Sequence, residues 1–325
     1  MAKKVAVVTG FAGFIGSTFT EKLLEKGYYV YCIDRFSYLS NDNLSERLLN
    51  NYKDNVHVLM GDICHIDWLP ECDVIFNLAA ESDVDIGNQN VDPFIHSNIF
   101  GVKNLISIIQ RRITIRADKP LFFQVSTDEV YGDIKDGSFD ENAILNPSNP
   151  YAATKASADL LIQSWARTHG LDYIIARPSN NYGPSQYPEK LIPLSCKRLS
   201  RGKKIKLHNK GSPVRTWTHA EDTAEALIML YEKAERNRIY NISSEFEQTN
   251  YETIKKLINC YFLDSIKREV PNFEEHLDLS YERPGQDVRY AISCEPLREL
   301  GWEPKKEFDK ELPTLIKHYK DTWRW

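Results

Sequence analysis

Two carboxylic acids stand side by side at Asp128 and Glu129, a short loop before a tyrosine and a lysine at Tyr151 and Lys155. Residues i and i+4 of a helix share one face, so we expect the phenol and the ammonium to lie together. A nearby ammonium lowers the pKa of a phenol and favours a phenolate that can accept a hydroxyl proton. This pair predicts oxidation of an alcohol by a nicotinamide. The two acids indicate a second reaction, the removal of a proton and of water.

A glycine-rich turn follows the first apolar run of the chain. Its glycines Gly10, Gly13 and Gly16 permit a tight turn and let a pyrophosphate approach backbone N–H groups at the positive end of a helix. About twenty residues later Asp34 ends the next apolar run, where a carboxylate binds ribose hydroxyls and repels a 2′-phosphate. The combination predicts NAD rather than NADP, although Arg35, which directly follows, could weaken that preference.

Short apolar runs alternate with longer helical patterns through the first half of the chain, and these elements must position the chemical groups. Strands are predicted at 5–9, 29–34, 56–61, 74–78, 121–126 and 173–177, and helices at 16–26, 44–51, 94–111 and 151–169. This alternation predicts an α/β fold with a Rossmann-type doubly wound parallel sheet. Ligands of such sheets bind at the carboxyl ends of the strands, where Thr9, Asp34, Asp62 and Thr127 fall.

The pattern loosens after about residue 180, because prolines and glycines break it into short elements. Helices are predicted at 221–235, 251–260 and 309–323. We therefore predict an NAD-binding domain over residues 1–180, which carries the acid pair, the tyrosine and the lysine. A smaller C-terminal α/β substrate-binding region is predicted over residues 181–325, with the chain crossing between the two more than once.

The composition argues against several classes of protein. A chain of 325 residues with 42% hydrophobic and 27% charged residues is typical of an ordinary globular protein. The net charge of −5 gives no electrostatic reason to expect nucleic acid or an anionic membrane as a partner. The first residues are broken by glycines too soon for a signal peptide, and no apolar run approaches a membrane span. Six dispersed cysteines predict reduced thiols, no metal site and a cytoplasmic location.

Several segments together resemble a known family, the extended short-chain dehydrogenase/reductases that act on nucleotide sugars. They are the glycine turn, Asn-Leu-Ala-Ala at 77–80, Tyr-Ala-Ala-Thr-Lys at 151–155, and the stretches 177–184, 188–193, 283–290 and 299–304. Within that superfamily, Ser-Thr-Asp-Glu-Val-Tyr-Gly at 126–132 is similar to the nucleoside-diphosphate-glucose 4,6-dehydratases. Epimerases of similar fold tend to have a serine here and no acid pair, and related decarboxylases tend to have Thr-Ser-Glu. Asp128 is therefore the discriminating residue.

The resemblance implies a reaction that begins and ends with the same cofactor. Tyr151 takes the C4 hydroxyl proton of a hexose while hydride passes to NAD, and Lys155 stabilises the phenolate and can bind the nicotinamide ribose. Thr127 hydrogen-bonds the developing carbonyl. Glu129 then removes the C5 proton, and Asp128, protonated because two adjacent carboxyls resist ionising together, gives its proton to the departing C6 hydroxyl. Return of hydride to C6 leaves a 4-keto-6-deoxy sugar.

The resemblance also implies which residues hold the two ligands. NAD is expected on the glycine turn, on acids that end strands and on neighbouring loops, namely Gly10, Gly13, Phe14, Ile15, Gly16, Asp34, Asp62, Ile63, Leu78, Ala79, Ala80, Ser82 and Asn181, together with Tyr151 and Lys155. The nucleotide sugar is expected on Asn180, Lys190, Leu191, Lys206, His208, Arg215, Asn241 and Arg283. The arginines suit a diphosphate because a guanidinium matches phosphate oxygens.

These inferences predict a cytoplasmic lyase that dehydrates dTDP-glucose or UDP-glucose and feeds the synthesis of deoxysugars such as rhamnose. A homodimer is expected through the helices at 94–111 and 151–169, whose apolar faces are large. Two alternatives stay open, a nucleotide-sugar 4-epimerase or decarboxylase on the same fold and a non-catalytic NAD-binding sensor. The base also stays open: the loop at 81–87 lacks the histidine and arginine usual in thymidine-type enzymes, and His208 stands where tyrosine is common.

Overall fold

A seven-stranded parallel sheet forms the centre of the computed structural model, which describes residues 3–40, 42–115, 119–282 and 287–321. The strands are β1 Val5–Thr9, β2 Tyr29–Asp34, β3 Val56–Met60, β4 Val74–Asn77, β5 Leu121–Val125, β6 Tyr173–Pro178, β7 Asn180–Tyr182, β8 Ile205–Lys206, β9 Val214–His219, β10 Arg238–Ile242, β11 Glu247–Thr249 and β12 Leu277–Asp278. The order across the central sheet is β10, β6, β5, β4, β1, β2 and β3, and each neighbouring pair is parallel. The predicted Rossmann-type α/β fold is confirmed.

Helices cover the sheet and build the second region. They are α1 Phe14–Glu25, α2 Asp42–Tyr52, α3 Val84–Gln89, α4 Asp92–Phe94, α5 Val102–Thr114, α6 Pro150–His169, α7 Leu191–Ser200, α8 Ala220–Lys233, α9 Asn250–Leu263, α10 Glu295–Glu299 and α11 Phe308–Asp321. Single 3₁₀ turns lie at Asp128–Tyr131, His208–Gly211 and Phe273–His276. The six predicted strands agree with the observed ones to within one residue at each end. The seventh strand of the sheet, β10, was not predicted.

Local signals at both ends fix the helix that carries the tyrosine and the lysine. The Asn149 side chain caps α6 by accepting a hydrogen bond from the Ala152 N–H at 2.9 Å, and Pro150 occupies the first turn. Gly170 ends the helix in the left-handed conformation, with φ of 71°. Tyr151 therefore lies in the first turn of α6.

The predicted helix at 94–111 is present, but a π-helical segment at Ile95–Gly101 precedes α5. Such segments often occur at functional sites. Here the segment carries Asn98, whose amide exchanges two hydrogen bonds with the backbone of Glu81, at 2.9 and 3.0 Å. Asn98 also donates to the Thr154 hydroxyl at 2.9 Å, so it fastens the loop after β4 to α6.

The second region forms its own hydrophobic cluster around α7, α9 and α11, with two small sheets, β11–β9–β7 and β12–β8. The chain leaves the central sheet after β6 and returns to it with α8, which packs against α1, and with β10, which pairs with β6. Residues 220–242 therefore belong spatially to the sheet, although they follow the predicted boundary at residue 180.

Two further features concern the described residues only. Of the helices in the described ranges, none combines the length and the apolar character that a membrane span requires. All six cysteines fall within those ranges, and no disulfide joins any two of them.

Candidate active site

A cavity runs along the carboxyl ends of the central strands, from β2 to β6. Its lining includes every residue predicted to bind the cofactor and every residue predicted to act in catalysis. Of the predicted substrate contacts, Asn180 and Lys190 also line it. The structure therefore brings the glycine turn, the acid pair and the Tyr151–Lys155 pair to one space.

The glycine turn is packed too closely for side chains at two of its positions. Gly10 has φ of 71°, and a Cβ there would lie 2.5 Å from the Ala79 nitrogen. A Cβ on Gly16 would collide with the Gly10 carbonyl. Gly13 stands at the N-cap of α1, so the first-turn N–H groups of that helix have no helical acceptor before them. The cavity wall at this point is a helix N-terminus that suits a pyrophosphate.

Asp34 holds the cofactor end of the cavity together. Its carboxylate accepts hydrogen bonds from the Ala12 N–H at 3.1 Å, the Phe36 N–H at 2.8 Å and the Ser40 hydroxyl at 3.2 Å. Asp62 follows the adjacent strand β3 by two residues and accepts from the Cys64 N–H at 2.9 Å. Both acids therefore lie at neighbouring strand ends, in positions that suit a ribose and an adenine ring.

Tyr151 and Lys155 are both buried on α6, and burial dominates their titration. Burial, followed by the charge of Glu129, raises the pKa of Tyr151 above its ordinary value, while a hydrogen bond with the Thr127 side chain lowers it. Burial also lowers the pKa of Lys155 to about 8, and its ammonium donates to the Val125 carbonyl at 2.7 Å. The sequence predicts a lowered pKa for the phenol, whereas in the structure desolvation and the charge of Glu129 raise it.

Asp128 is 3% exposed, and burial raises its pKa to about 8, with the charge of Glu129 as the next cause. Arg215 and the Thr127 hydroxyl, which donates to Oδ1 at 3.3 Å, act in the opposite direction. Among the described residues, Oδ2 has no hydrogen-bond partner. At neutral pH this acid is mostly protonated, as expected for one member of the pair.

Glu129 is held by two side chains that the sequence argument missed. Its Oε2 accepts a hydrogen bond from the Asn149 amide at 3.0 Å and lies 3.4 Å from the Tyr290 hydroxyl. The same hydroxyl contacts the carboxylate of Asp287, which also accepts from Ser148. Asn149 could have been found as the cap before Pro150, and Tyr290 falls in the matched segment 283–290.

A second missed group lies behind the lysine. Asp159 is one helical turn beyond Lys155 and fully buried. It accepts hydrogen bonds from the Ser126 hydroxyl and the Arg177 guanidinium, each at 3.0 Å. Its negative charge raises the pKa of Lys155 and so opposes the effect of burial. Nothing in the local sequence distinguishes it from an exposed helical aspartate.

The predicted substrate residues divide into two groups, and the first lies at or near the cavity. Asn180 and Asn181 each have a buried side-chain oxygen that lacks a partner in the described part of the chain. Lys190 donates to the Ser82 carbonyl at 2.8 Å across the cavity mouth, and Leu191 begins α7 directly behind it. Arg215 is buried over the Tyr290 ring at 4.4 Å, on the same side as the acid pair.

The second group lies away from the cavity. Asn241 is fully buried, and its amide bonds the Tyr131 hydroxyl, the Phe139 carbonyl and the Ser293 carbonyl, at 2.9, 3.3 and 2.9 Å. The structure does not support it as a substrate contact, because binding would break these hydrogen bonds.

Lys206 and His208 both pack against the exposed ring of Tyr281, at 4.6 and 5.2 Å, and neither lines the cavity. Arg283 lies outside the described residues.

Comparisons with known proteins give a consistent result. The GDP-mannose 4,6 dehydratase family model matches residues 7–314. The low-salt glycan biosynthesis protein Agl12 of Haloferax volcanii is 39% identical over 96% of this chain and 97% of its own, and a dTDP-glucose 4,6-dehydratase of Haemophilus influenzae is 33% identical over 96% and 97%. The solved dTDP-glucose 4,6-dehydratase DesIV of Streptomyces venezuelae, with NAD and TYD bound, has a TM-score of 0.89 and 32% identity, over 98% of this chain and 97% of its own.

Proposed function

Because this chain belongs to the GDP-mannose 4,6 dehydratase family, we propose that it is a lyase that removes water from a nucleotide-linked glucose with the help of bound NAD. The reaction converts dTDP-glucose or UDP-glucose to the 4-keto-6-deoxyglucose nucleotide. Relatives named dTDP-glucose 4,6-dehydratase match this chain over nearly its whole length. The observation that carries the proposal is Asp128, a buried acid that keeps its proton at neutral pH beside Glu129 and Tyr151.

The first half of the cavity fits NAD. The N–H groups at the start of α1 would hold the pyrophosphate, Asp34 the ribose hydroxyls, and Asp62 with Ile63 the adenine. Bound NAD supplies a nicotinamide that takes a hydride from the sugar and gives it back. Nearly all residues proposed to hold NAD come before residue 180, and Lys190, Leu191 and Arg215 of the second region lie at or near the same cavity.

Tyr151 begins the reaction by accepting the proton of the C4 hydroxyl. Since burial favours the neutral phenol, other groups must help it to ionise. The Thr127 hydrogen bond lowers the pKa of the phenol, and Thr127 can then bond the new carbonyl oxygen. Lys155 keeps a positive charge in the pocket below about pH 8.

The acid pair performs the elimination. The C4 ketone acidifies the C5 hydrogen, which Glu129 removes while Asn149 and Tyr290 hold its carboxylate in place. Asp128 gives its proton to the C6 hydroxyl, which departs as water. The two carboxyls differ in role because one is more deeply buried than the other.

The alternative functions, a 4-epimerase or decarboxylase and a non-catalytic NAD-binding sensor, explain fewer of these groups. A 4-epimerase needs only oxidation at C4 and its reversal, and has no use for a protonated Asp128. The solved UDP-glucose 4-epimerase of Thermotoga maritima, at 24% identity, shares the fold of this chain. A non-catalytic sensor would gain nothing from a buried acid that costs folding stability.

Three finer points are part of the proposal. The nucleotide is either dTDP or UDP, and the product would serve deoxysugar synthesis of the rhamnose type. The enzyme works in the cytoplasm, where its thiols stay reduced. Two copies pair through the helices at 94–111 and 151–169, because Phe100 and Leu160 are 56% and 57% exposed there. A monomeric mass by light scattering would refute the dimer.

The test of function is incubation of the purified protein with dTDP-glucose and UDP-glucose in parallel, followed by mass spectrometry. A dehydratase gives a product lighter by one water, without release of reduced cofactor. An epimerase gives a product of unchanged mass, and stoichiometric NADH release indicates a plain dehydrogenase. The Tyr151→Phe variant is the matched control, since it should bind NAD and form no product. The ratio of the two kcat/KM values identifies the preferred base.

A further inference from the structure

Arg35, at the cofactor end of the cavity, is a group that opposes NAD selectivity. An arginine near the acid at the end of the second strand is the group that accommodates the 2′-phosphate of NADP in folds of this type. Its planar guanidinium matches phosphate oxygens and carries its charge at all working pH values. A free arginine at this position would attract the phosphate that Asp34 repels.

In the structure the Arg35 guanidinium is paired with two carboxylates from the neighbouring loops. Nη2 donates to the carboxylate of Glu81, which follows β4, and Nη1 lies 3.5 Å from Oδ2 of Asp62, which follows β3. Arg35 is thus drawn toward its two acidic partners.

Both partners are themselves fixed. The backbone of Glu81 exchanges two hydrogen bonds with Asn98, which is 1% exposed and tied to α6 through Thr154. Asp62 is held by the Cys64 N–H at 2.9 Å. Glu81 is itself a buried carboxylate, which makes the loss of a cationic partner costly. The two acids are therefore held in place by the loops, and the 38% exposed side chain of Arg35 reaches both of them.

We infer that Glu81, supported by Asp62, is a specificity-determining residue that enforces NAD by occupying the Arg35 guanidinium. Asp34 then acts on the ribose without a competing positive charge. The inference rests on the NAD part of the proposed function and extends it to a residue pair that has no role in the chemistry of the sugar.

The test measures which nucleotide the protein retains, without any turnover. Purified variants are incubated with equal NAD and NADP, desalted and denatured, and the released nucleotides are quantified by mass spectrometry. The Asp34→Ser background removes the carboxylate that repels the 2′-phosphate of NADP, so the assay can detect changes in NADP binding. Adding Glu81→Gln should raise the retained NADP:NAD ratio about tenfold, because a charge-assisted hydrogen bond to phosphate becomes available. Adding Arg35→Met to that double variant should abolish the gain.

A matched control distinguishes release of Arg35 from its pairing with Glu81 from the mere loss of one negative charge nearby. Asp83→Asn removes one negative charge two residues from Glu81 and keeps a good cap on α3, where the Asp83 carboxylate accepts from the Asp85 and Ile86 N–H groups. It should leave the ratio unchanged. An equal rise with Asp83→Asn, or a gain that survives Arg35→Met, overturns the inference. Wild-type protein that retains neither nucleotide would instead overturn the cofactor assignment, and the inference with it.

Discussion

The polar groups at the two ends of the cavity differ in how far the protein satisfies their hydrogen bonds. At the cofactor end, Asp34 accepts three hydrogen bonds from the protein and Arg35 is paired with two acids. At the catalytic end, Oδ2 of Asp128 and the side-chain oxygens of Asn180 and Asn181 are buried without a partner among the residues described. Burial also shifts the titration of the acid, the phenol and the amine there. The first end is a preformed binding surface, whereas the second holds reactive groups in states that water would not favour.

This contrast suggests that the catalytic end was shaped at the expense of stability. Buried groups without partners are costly, and such costs concentrate at functional sites. Removing a reactive group there should therefore lower activity and leave the fold intact or more stable. Removing a paired group at the cofactor end should instead weaken the binding of NAD.

The largest expected effect belongs to Glu129→Gln. The glutamine oxygen can still accept from Asn149 and Tyr290, so the change removes the base and keeps its position. Dehydration should fall about 10³-fold, within the range for loss of a general base, and reduced cofactor should accumulate on the enzyme. Product mass and absorbance of the reduced nicotinamide measure the two steps separately. Glu141→Gln, at a partly buried acid that accepts from the Asn241 N–H, is the control. Near-normal dehydration by Glu129→Gln would remove this residue from the mechanism.

The next effect is a gain of stability in Asp128→Asn. The pKa of Asp128 is raised from 3.8 to about 8, so between these values the folded protein holds a proton that the unfolded chain releases. Wild-type stability therefore falls as pH rises through this window, and a neutral asparagine avoids that loss. The variant should gain on the order of a few kcal/mol relative to wild type at pH 8, and much less at pH 4. Urea unfolding at both pH values measures this difference. An equal difference at both would show that Asp128 is ionised in the fold.

The sequence predicted the cofactor end and the Tyr151–Lys155 pair better than the rest of the site for a physical reason. Tyr151 and Lys155 are neighbours by helical spacing alone, and Asp34 and Asp62 lie near each other because parallel strands end at one edge. In contrast, Asn241 lies on β10, a short strand that pairs with β6 and turns its amide toward Tyr131. No local pattern reveals that pairing.

The helices predicted at 221–235, 251–260 and 309–323 correspond to α8, α9 and α11, but the long-range contacts of the site could not be predicted, because they join distant parts of the chain. The two-residue strand that includes Lys206 pairs with Leu277–Asp278, about seventy residues later. Glu129 meets Tyr290 across a separation of 161 residues. Asp159 was visible one turn beyond Lys155, but its burial depends on Arg177 from β6. Periodicity identifies elements, and long-range packing decides which side chains they bring together.

The smallest effect concerns Asp159, a buried carboxylate at the catalytic end whose Oδ2 accepts hydrogen bonds from Ser126 and Arg177. Because the pKa values of Asp128 and Lys155 are both about 8, wild-type activity should fall above pH 8 as the acid and the ammonium lose their protons. Asp159 raises the pKa of Lys155, so Asp159→Asn should move this alkaline limb about one pH unit lower. At pH 8 the rate should drop several-fold, with little change near pH 6.

The pH profile distinguishes this electrostatic role from a structural one. The midpoint of the limb does not depend on how much of a variant folds, so destabilisation by the unpaired Arg177 does not disguise the result. Asp159→Glu, which keeps the charge, should keep the limb near its wild-type position. Asp222→Asn changes another buried acid, one that accepts from the Lys305 and Lys306 N–H groups, and should not move it. A uniform loss of activity in Asp159→Asn at every pH would mean that Asp159 only supports the fold, and that pairing at this end serves stability as it does at the other.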